Sequence, residues 1–229
     1  LITLAGTIGA GKTAWGNVIA DHFGVDLVEE KVEGNPFLAK FYEDPKRYSF
    51  HLQVYFLNHR FKAIKKAMTH PNTVLDRSIY EDAMVFARLQ YENGSMDKAE
   101  YNTYLELHEN MMQELYDLYA QQISLKKSPD LLVLVHGSLE EAMRRIKKRG
   151  RPYEQIEGNT ELYQYYQNLY NIYENEFMTN YLEKEISPVY IIDIDKIEIS
   201  NPLDVNEVLG GIERTLKRER GFVFPEELK

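Results

Sequence analysis

Eight residues near the start, Gly6-Thr7-Ile8-Gly9-Ala10-Gly11-Lys12-Thr13, fit the pattern G-x-x-x-x-G-K-[ST], whose backbone N–H groups wrap phosphate oxygens. Three glycines allow a tight turn and close approach, and a helix opening behind them adds its partial positive charge. In such a loop Lys12 contacts the β- and γ-phosphates of a nucleoside triphosphate, and the Thr13 hydroxyl ligates Mg²⁺. The chemistry is phosphoryl transfer, which also requires positive charge on the moving group and something to orient the acceptor. Asp76 ends the apolar run Thr73-Val74-Leu75, a place from which a carboxylate reaches Mg²⁺ and its waters. A plain helix N-cap is its alternative role, and one residue can do both. The basic cluster Arg144, Arg145, Lys147, Lys148, Arg149, Arg151 stands out in an acidic chain. Lys147 and Lys148 read as well as a solvated helix end, where cations favour the dipole. Arg145 and Arg149 lie one turn apart, and Gly150 frees Arg151 to reach back over a phosphate.

Positioning these groups requires strands that feed loops. Apolar runs recur at 1–5, 25–28, 73–75, 131–135 and 189–192, with helical patterns between them. The alternation implies an α/β fold, a five-stranded parallel sheet covered by helices on both faces. A short helix is expected after Glu33-Gly34-Asn35-Pro36, interrupted at Asp44-Pro45. Longer helices are expected over 46–69, ended by His70-Pro71-Asn72; over 79–91, ended by Asn93-Gly94-Ser95; and over 97–122, before a polar connection through Lys126, Lys127 and Ser128. Residues 138–149 carry Ser138 and Glu141 at capping-box spacing and stop at Gly150, with 151–154 as a loop. Helical spacing returns over 159–184, where the stripe Tyr163, Tyr166, Tyr170, Tyr173 reads as packing, and over 202–218. A single domain over 1–229 is expected, without repeats, and the tail 221–229 has no evident role.

The chain of 229 residues is 44% hydrophobic and 28% charged, which fits a folded domain with a substantial core. No apolar run reaches the roughly 20 residues that span a bilayer, so no membrane partner is expected. No signal peptide is evident, although the numbering begins inside the first strand and a few upstream residues are expected. Absence of cysteine excludes disulfides, cysteine zinc sites and thiol catalysis, and fits a reducing, cytoplasmic setting. A formal net charge of -9 argues against nucleic acid as a partner. Neither a guanine-reading Asn-Lys-x-Asp segment nor a transporter Leu-Ser-Gly-Gly signature is present, which leaves a small kinase with a basic lid over about 145–157.

Six segments carry a resemblance in order: the phosphate loop; Glu30; Tyr42 with Asp44-Pro45-Lys46-Arg47-Tyr48-Ser49-Phe50; Gln53 and Arg60; Asp76-Arg77-Ser78-Ile79-Tyr80-Glu81-Asp82; and Arg145-Ile146-Lys147-Lys148-Arg149-Gly150-Arg151. Together they resemble the deoxynucleoside kinase family, most nearly its bacterial deoxyadenosine and deoxyguanosine kinases, over residues 1 to about 197. The resemblance implies a P-loop kinase fold and transfer of the γ-phosphoryl group of ATP to the 5′-hydroxyl of a deoxynucleoside. It implies Glu30 as the general base with Arg77 beside the same oxygen, and Tyr42 and Glu154 on the 3′-hydroxyl. Gln53, Arg60 and Asp82 would face the base and Phe86 pack on it; Arg145, Arg149 and Arg151 would cover the donor phosphates. Asp193-Ile194-Asp195 resembles the loop that wraps the donor adenine, mainly through backbone. Many members carry Pro after the catalytic glutamate, whereas Lys31 follows here and Glu29 precedes; spacing to Asn35-Pro36 selects Glu30. A homodimer is implied, and a heterodimer with a related subunit is a further possibility. Arg60 and Asp82 offer a donor and an acceptor, which favours a purine, although deoxycytidine also satisfies such a pair. Two other readings stand beside this one: a thymidylate-type monophosphate kinase, and a non-catalytic nucleotide-binding subunit.

Overall fold

The computed structural model describes residues 1–30, 32–69, 72–121 and 129–220. Strands β1 (Ile2–Ala5), β2 (Asp26–Val28), β3 (Thr73–Asp76), β4 (Leu131–His136) and β5 (Val189–Asp193) form one parallel sheet in the order β2-β3-β1-β4-β5. β1, β3 and β4 are buried along nearly their whole length, as unalternating apolar runs require when both faces are covered. Successive side chains point to opposite faces. Leu4, Val133 and Val135 therefore meet Trp15 and Ile19 of α1 (Lys12–Phe23) and Val208 and Ile212 of α10 (Pro202–Arg220). Ala5, Leu132 and Leu134 face the other way, toward Val85, Leu169, Tyr173 and Phe177. On that side α3 (Pro45–Thr69) and α6 (Lys98–Gln121) enclose Leu57, Tyr104 and Leu115 beside Leu75.

The strand order turns around β1, whose neighbours β3 and β4 carry the chain in opposite directions across the sheet. Loops leaving such a switch point diverge and open a crevice at the carboxyl edge. Pairing of Leu4 with Asp76 and of Val28 with Leu75 brings the ends of β1, β2 and β3 to that edge together.

Several local expectations need correction. The helix over 79–91 is instead α4 (Ile79–Glu81), a π-helical turn at Asp82–Ala87 and α5 (Arg88–Glu92); the one over 159–184 is α8 (Thr160–Ile172), a π-helical turn at Tyr173–Phe177 and α9 (Met178–Glu183). Each π turn inserts extra length into the helix, which 3.6-residue periodicity does not register. The short helix α2 spans Leu38–Glu43, and Val25 lies outside β2. Ahead of α7 (Leu139–Arg149) only half of the capping box forms: Ser138 Oγ accepts from Glu141 N at 3.2 Å, but Ser138 N donates to Asp195 at 2.7 Å. Glu141 is drawn away by Arg144 and Arg145. Segment 151–154 holds a 3₁₀ turn, Pro152–Glu154. Lys31, His70, Pro71, the connection 122–128 and the tail 221–229 lie outside the described residues.

Candidate active site

Gly6, Thr7, Ile8, Gly9, Ala10 and Gly11 form the turn between β1 and α1, with Gly6, Gly9 and Gly11 all at positive φ. At Gly6 a Cβ would stand 2.1 Å from the Val135 carbonyl oxygen, so only hydrogen fits. Lys12 donates from Nζ to Thr7 O at 2.9 Å. Burial, and after it the charge of Arg77, lowers its ammonium to about 8. Thr13 Oγ1 donates to Asp76 Oδ2. The other oxygen, Asp76 Oδ1, is buried and has no hydrogen-bond partner among the described residues. Ser78, not Asp76, caps α4: its Oγ accepts from Tyr80 N, while Glu81 returns to Ser78 N.

Beside this loop lies a cleft of about 420 Å³ that brings Lys12, Thr13, Glu30, Tyr42, Gln53, Arg60, Asp76, Arg77, Asp82, Phe86, Arg149, Arg151 and Glu154 together. Glu30 enters from beyond β2; its Oε1 accepts from Arg77 Nε at 3.0 Å and Arg60 Nη2 at 3.3 Å. Burial pushes the Glu30 carboxyl up, but Arg77, Arg60 and Lys12 together outweigh it and hold the group below the ordinary carboxylate range. Arg77 follows β3 in a left-handed conformation, φ 86°, uncommon for a residue with a side chain. Its Nη1 donates to Gly6 O at 2.9 Å and Glu81 at 3.0 Å, and its guanidinium covers the Phe86 ring at 4.5 Å. Arg60 reaches across from α3 to hold both Asp82 oxygens, at 2.7 and 3.0 Å. Burial pushes the Asp82 carboxyl up to about 6 against the pull of Arg60.

At the far end Tyr42 stacks on Tyr153, ring centroids 5.3 Å apart. Glu154, 3% exposed, accepts from Arg149 Nη2 at 2.6 Å and Arg151 Nη1 at 3.2 Å. Here the two arginines are joined to one buried carboxylate. Arg145 lies outside the cleft lining, donating to Glu141 at 2.6 Å and to Ala10 O at 3.1 Å, flush against the phosphate loop. Asp193, Ile194 and Asp195 sit apart from the cleft at the end of β5. Asp193 pairs with Lys196, Ile194 is buried, and Asp195 holds Ser138. Their side chains are thus engaged, and Lys147 pairs with Glu157 at the surface.

Sequence reasoning did not single out the walls Leu38, Phe41, Leu52, Phe56 and Tyr165, nor the buried Glu81 and Tyr173 behind Arg77. Apolar wall residues look like core in a sequence. Glu81 was detectable, because Ser78-x-x-Glu81 is a capping-box spacing. Of the tyrosine stripe, Tyr166 and Tyr173 are core, Tyr163 is exposed, and Tyr170 stacks on His136.

A glycine-rich loop suited to phosphate oxygens, adjoining a pocket in which Glu30 is held between Arg60 and Arg77, fits transfer to a neutral acceptor. Comparison with known proteins agrees. The family model for deoxynucleoside kinase matches residues 2–216. A deoxyguanosine kinase of Lactobacillus acidophilus is 44% identical over 218 residues, covering 95% of this chain and 91% of that protein. A deoxyadenosine kinase of the same organism is 39% identical over 218 residues, covering 95% and 96%. The solved structure of deoxyadenosine kinase from M. mycoides with bound dCTP superposes with a TM-score of 0.75 at 27% identity, covering 93% of this chain and 98% of that one. This chain belongs to the deoxynucleoside kinase family, ATP-dependent phosphotransferases acting on deoxynucleosides.

Proposed function

We propose that Glu30 is the general base of the transfer, accepting the proton of the acceptor 5′-hydroxyl as its oxygen attacks the γ-phosphorus of ATP. The observation that carries this reading is the Glu30 carboxylate in the cleft beside Lys12, held by Arg77 at 3.0 Å and kept ionised. Arg77 orients that carboxylate and the attacking oxygen, while Lys12 leaves Thr7 O to meet the donor phosphates. Arg145, Arg149 and Arg151 close as a lid on the donor, and Asp193, Ile194 and Asp195 border its adenine through backbone. Tyr42 and Glu154 hold the 3′-hydroxyl; Gln53, Arg60 and Asp82 read the base above Phe86. Thr13 and the unpartnered Asp76 Oδ1 suit Mg²⁺ with its waters. Bound there, the ion supplies charge neutralisation of the phosphates. The working unit is a single domain acting as a homodimer, as the family resemblance implies, in the cytoplasm, which the absence of cysteine fits.

A purine is the preferred base. The Arg60–Asp82 pair presents donors and an acceptor, and an analogue that leaves such buried groups unpaired is rejected by orders of magnitude. Similarity to a deoxyguanosine and a deoxyadenosine kinase supports the same choice. Incubation with labelled ATP and each of four deoxynucleosides tests it: higher kcat/KM for deoxyadenosine or deoxyguanosine is expected, and a pyrimidine maximum contradicts it. A monophosphate acceptor fits poorly, because Glu30, Asp82 and Glu154 would repel it while Arg60 and Arg77 are already paired.

Two pH dependences follow. Burial raises the Asp82 carboxyl to about 6, so protonation below that value opens its pair with Arg60. KM for the deoxynucleoside is expected to rise as pH falls through it, and the limb should vanish in Asp82→Asn. Glu30, held below the ordinary range, should contribute no limb there. Burial lowers the Lys12 ammonium to about 8 in the free enzyme, and phosphate favours the charged form. ATP binding should therefore take up a proton at about pH 8.5 and none at about pH 6.5. Calorimetry in buffers of different ionisation enthalpy measures this; equal uptake at both values contradicts it.

A further inference from the structure

Glu81 is wholly buried, 0% exposed, and a carboxylate so placed is costly unless fully engaged. Its Oε1 accepts from Gly6 N at 3.0 Å, Arg77 Nη1 at 3.0 Å and the Tyr173 hydroxyl; its Oε2 accepts from Ser78 N at 2.8 Å. A helix cap needs only the last of these. The other three join the first glycine of the phosphate loop, the arginine beside Glu30 and a tyrosine of the π-helical turn. Arg77 is thereby held twice. Its backbone, at φ 86°, is fixed through the adjoining Ser78 N, and its guanidinium is stretched between Glu81 on Nη1 and Glu30 on Nε. Neither Glu81 nor Tyr173 lines the cleft, so neither touches a substrate.

We propose that Glu81, backed by the Tyr173 hydroxyl, is a positioning residue that sets Arg77 against Glu30 and registers both on the phosphate loop. The inference rests on the roles given above to Glu30 and Arg77. A misplacement of about 1 Å at such a centre costs about 10²-fold in rate.

The test compares wild type, Glu81→Gln and Tyr173→Phe in steady-state kinetics and thermal melts. Glu81→Gln keeps the shape but brings an amide donor against groups that are all donors. Its kcat is expected to fall about 10²-fold, with KM for ATP within about threefold of wild type, because Lys12 and the lid arginines are untouched. Tyr173→Phe should lower kcat about three- to tenfold. In an Arg77→Lys background, Glu81→Gln should add less than about threefold, since the two residues act as one unit. Wild-type kcat in folded Glu81→Gln, a change in KM alone, or an equal fractional loss in both backgrounds would overturn the proposal. If Glu81→Gln does not fold, Tyr173→Phe decides: lowered kcat with an unchanged melting temperature supports the role, and wild-type kcat overturns it. A wild-type enzyme inactive on every deoxynucleoside would instead bring down the functional reading itself.

Discussion

Replacing Glu30 by Gln is expected to lower kcat by about 10²- to 10⁴-fold, the range a general base supplies. Size and shape are preserved, so the loss measures the proton acceptor. The fold should survive, because each arginine that Glu30 engages keeps a second carboxylate: Asp82 for Arg60 at 2.7 Å and Glu81 for Arg77 at 3.0 Å. ATP affinity should be nearly unchanged, since Lys12 and the phosphate loop hold the donor independently. Glu29→Gln is the comparison: Glu29 also borders the cleft but is exposed, while Arg60 and Arg77 pair with Glu30, so its kcat should fall far less. Steady-state kcat with a separate ATP titration checks both, and unchanged turnover in Glu30→Gln moves the base elsewhere.

Gly6→Ala should be the most damaging substitution for stability. The new methyl would lie 2.1 Å from the Val135 carbonyl oxygen, a backbone atom in the central sheet that has no rotamer to escape into. Gly6 also sits at φ 145°, which a residue with a Cβ rarely adopts, and its N–H serves Glu81. A cost above about 4 kcal/mol is expected. At about 2–4 °C per kcal/mol for a chain of this size, melting should fall by roughly 8–16 °C. Gly150→Ala provides the contrast: φ is 72°, but nothing lies within 4 Å of the added Cβ. There only the left-handed penalty of about 1–2 kcal/mol applies. Thermal melts of the two variants side by side test the comparison, and equal shifts would contradict it.

What the sequence made legible follows from how local each feature is. The phosphate loop works through backbone conformation over eight consecutive residues, so its glycines and Lys12 could be read directly. Asp76 was readable because it ends an apolar run. Glu30 and Glu29 were harder, since they are adjacent and both border the cleft; what distinguishes Glu30 is its pairing with Arg60 and Arg77, which exists only in the folded chain. The five strands announced themselves by composition. The π-helical turns did not, and they place Asp82 and Tyr173. Glu81 shows its cap in the local spacing, but its bond to Gly6 N spans 75 positions and exists only in the folded sheet. Likewise the basic run announced cations for phosphate, while the pairing of Arg149 and Arg151 with Glu154 depends on a turn that sequence reasoning took for a loop.

The central claim is that Glu30 prepares an alcohol for attack on ATP. Its most direct test is the fate of label from γ-labelled ATP, offered together with deoxyadenosine and, separately, with its 5′-monophosphate. The account predicts labelled 5′-monophosphate from the nucleoside, formed about 10²- to 10⁴-fold more slowly by Glu30→Gln, and no labelled diphosphate. Label carried onto the monophosphate, with the nucleoside left untouched, would contradict it.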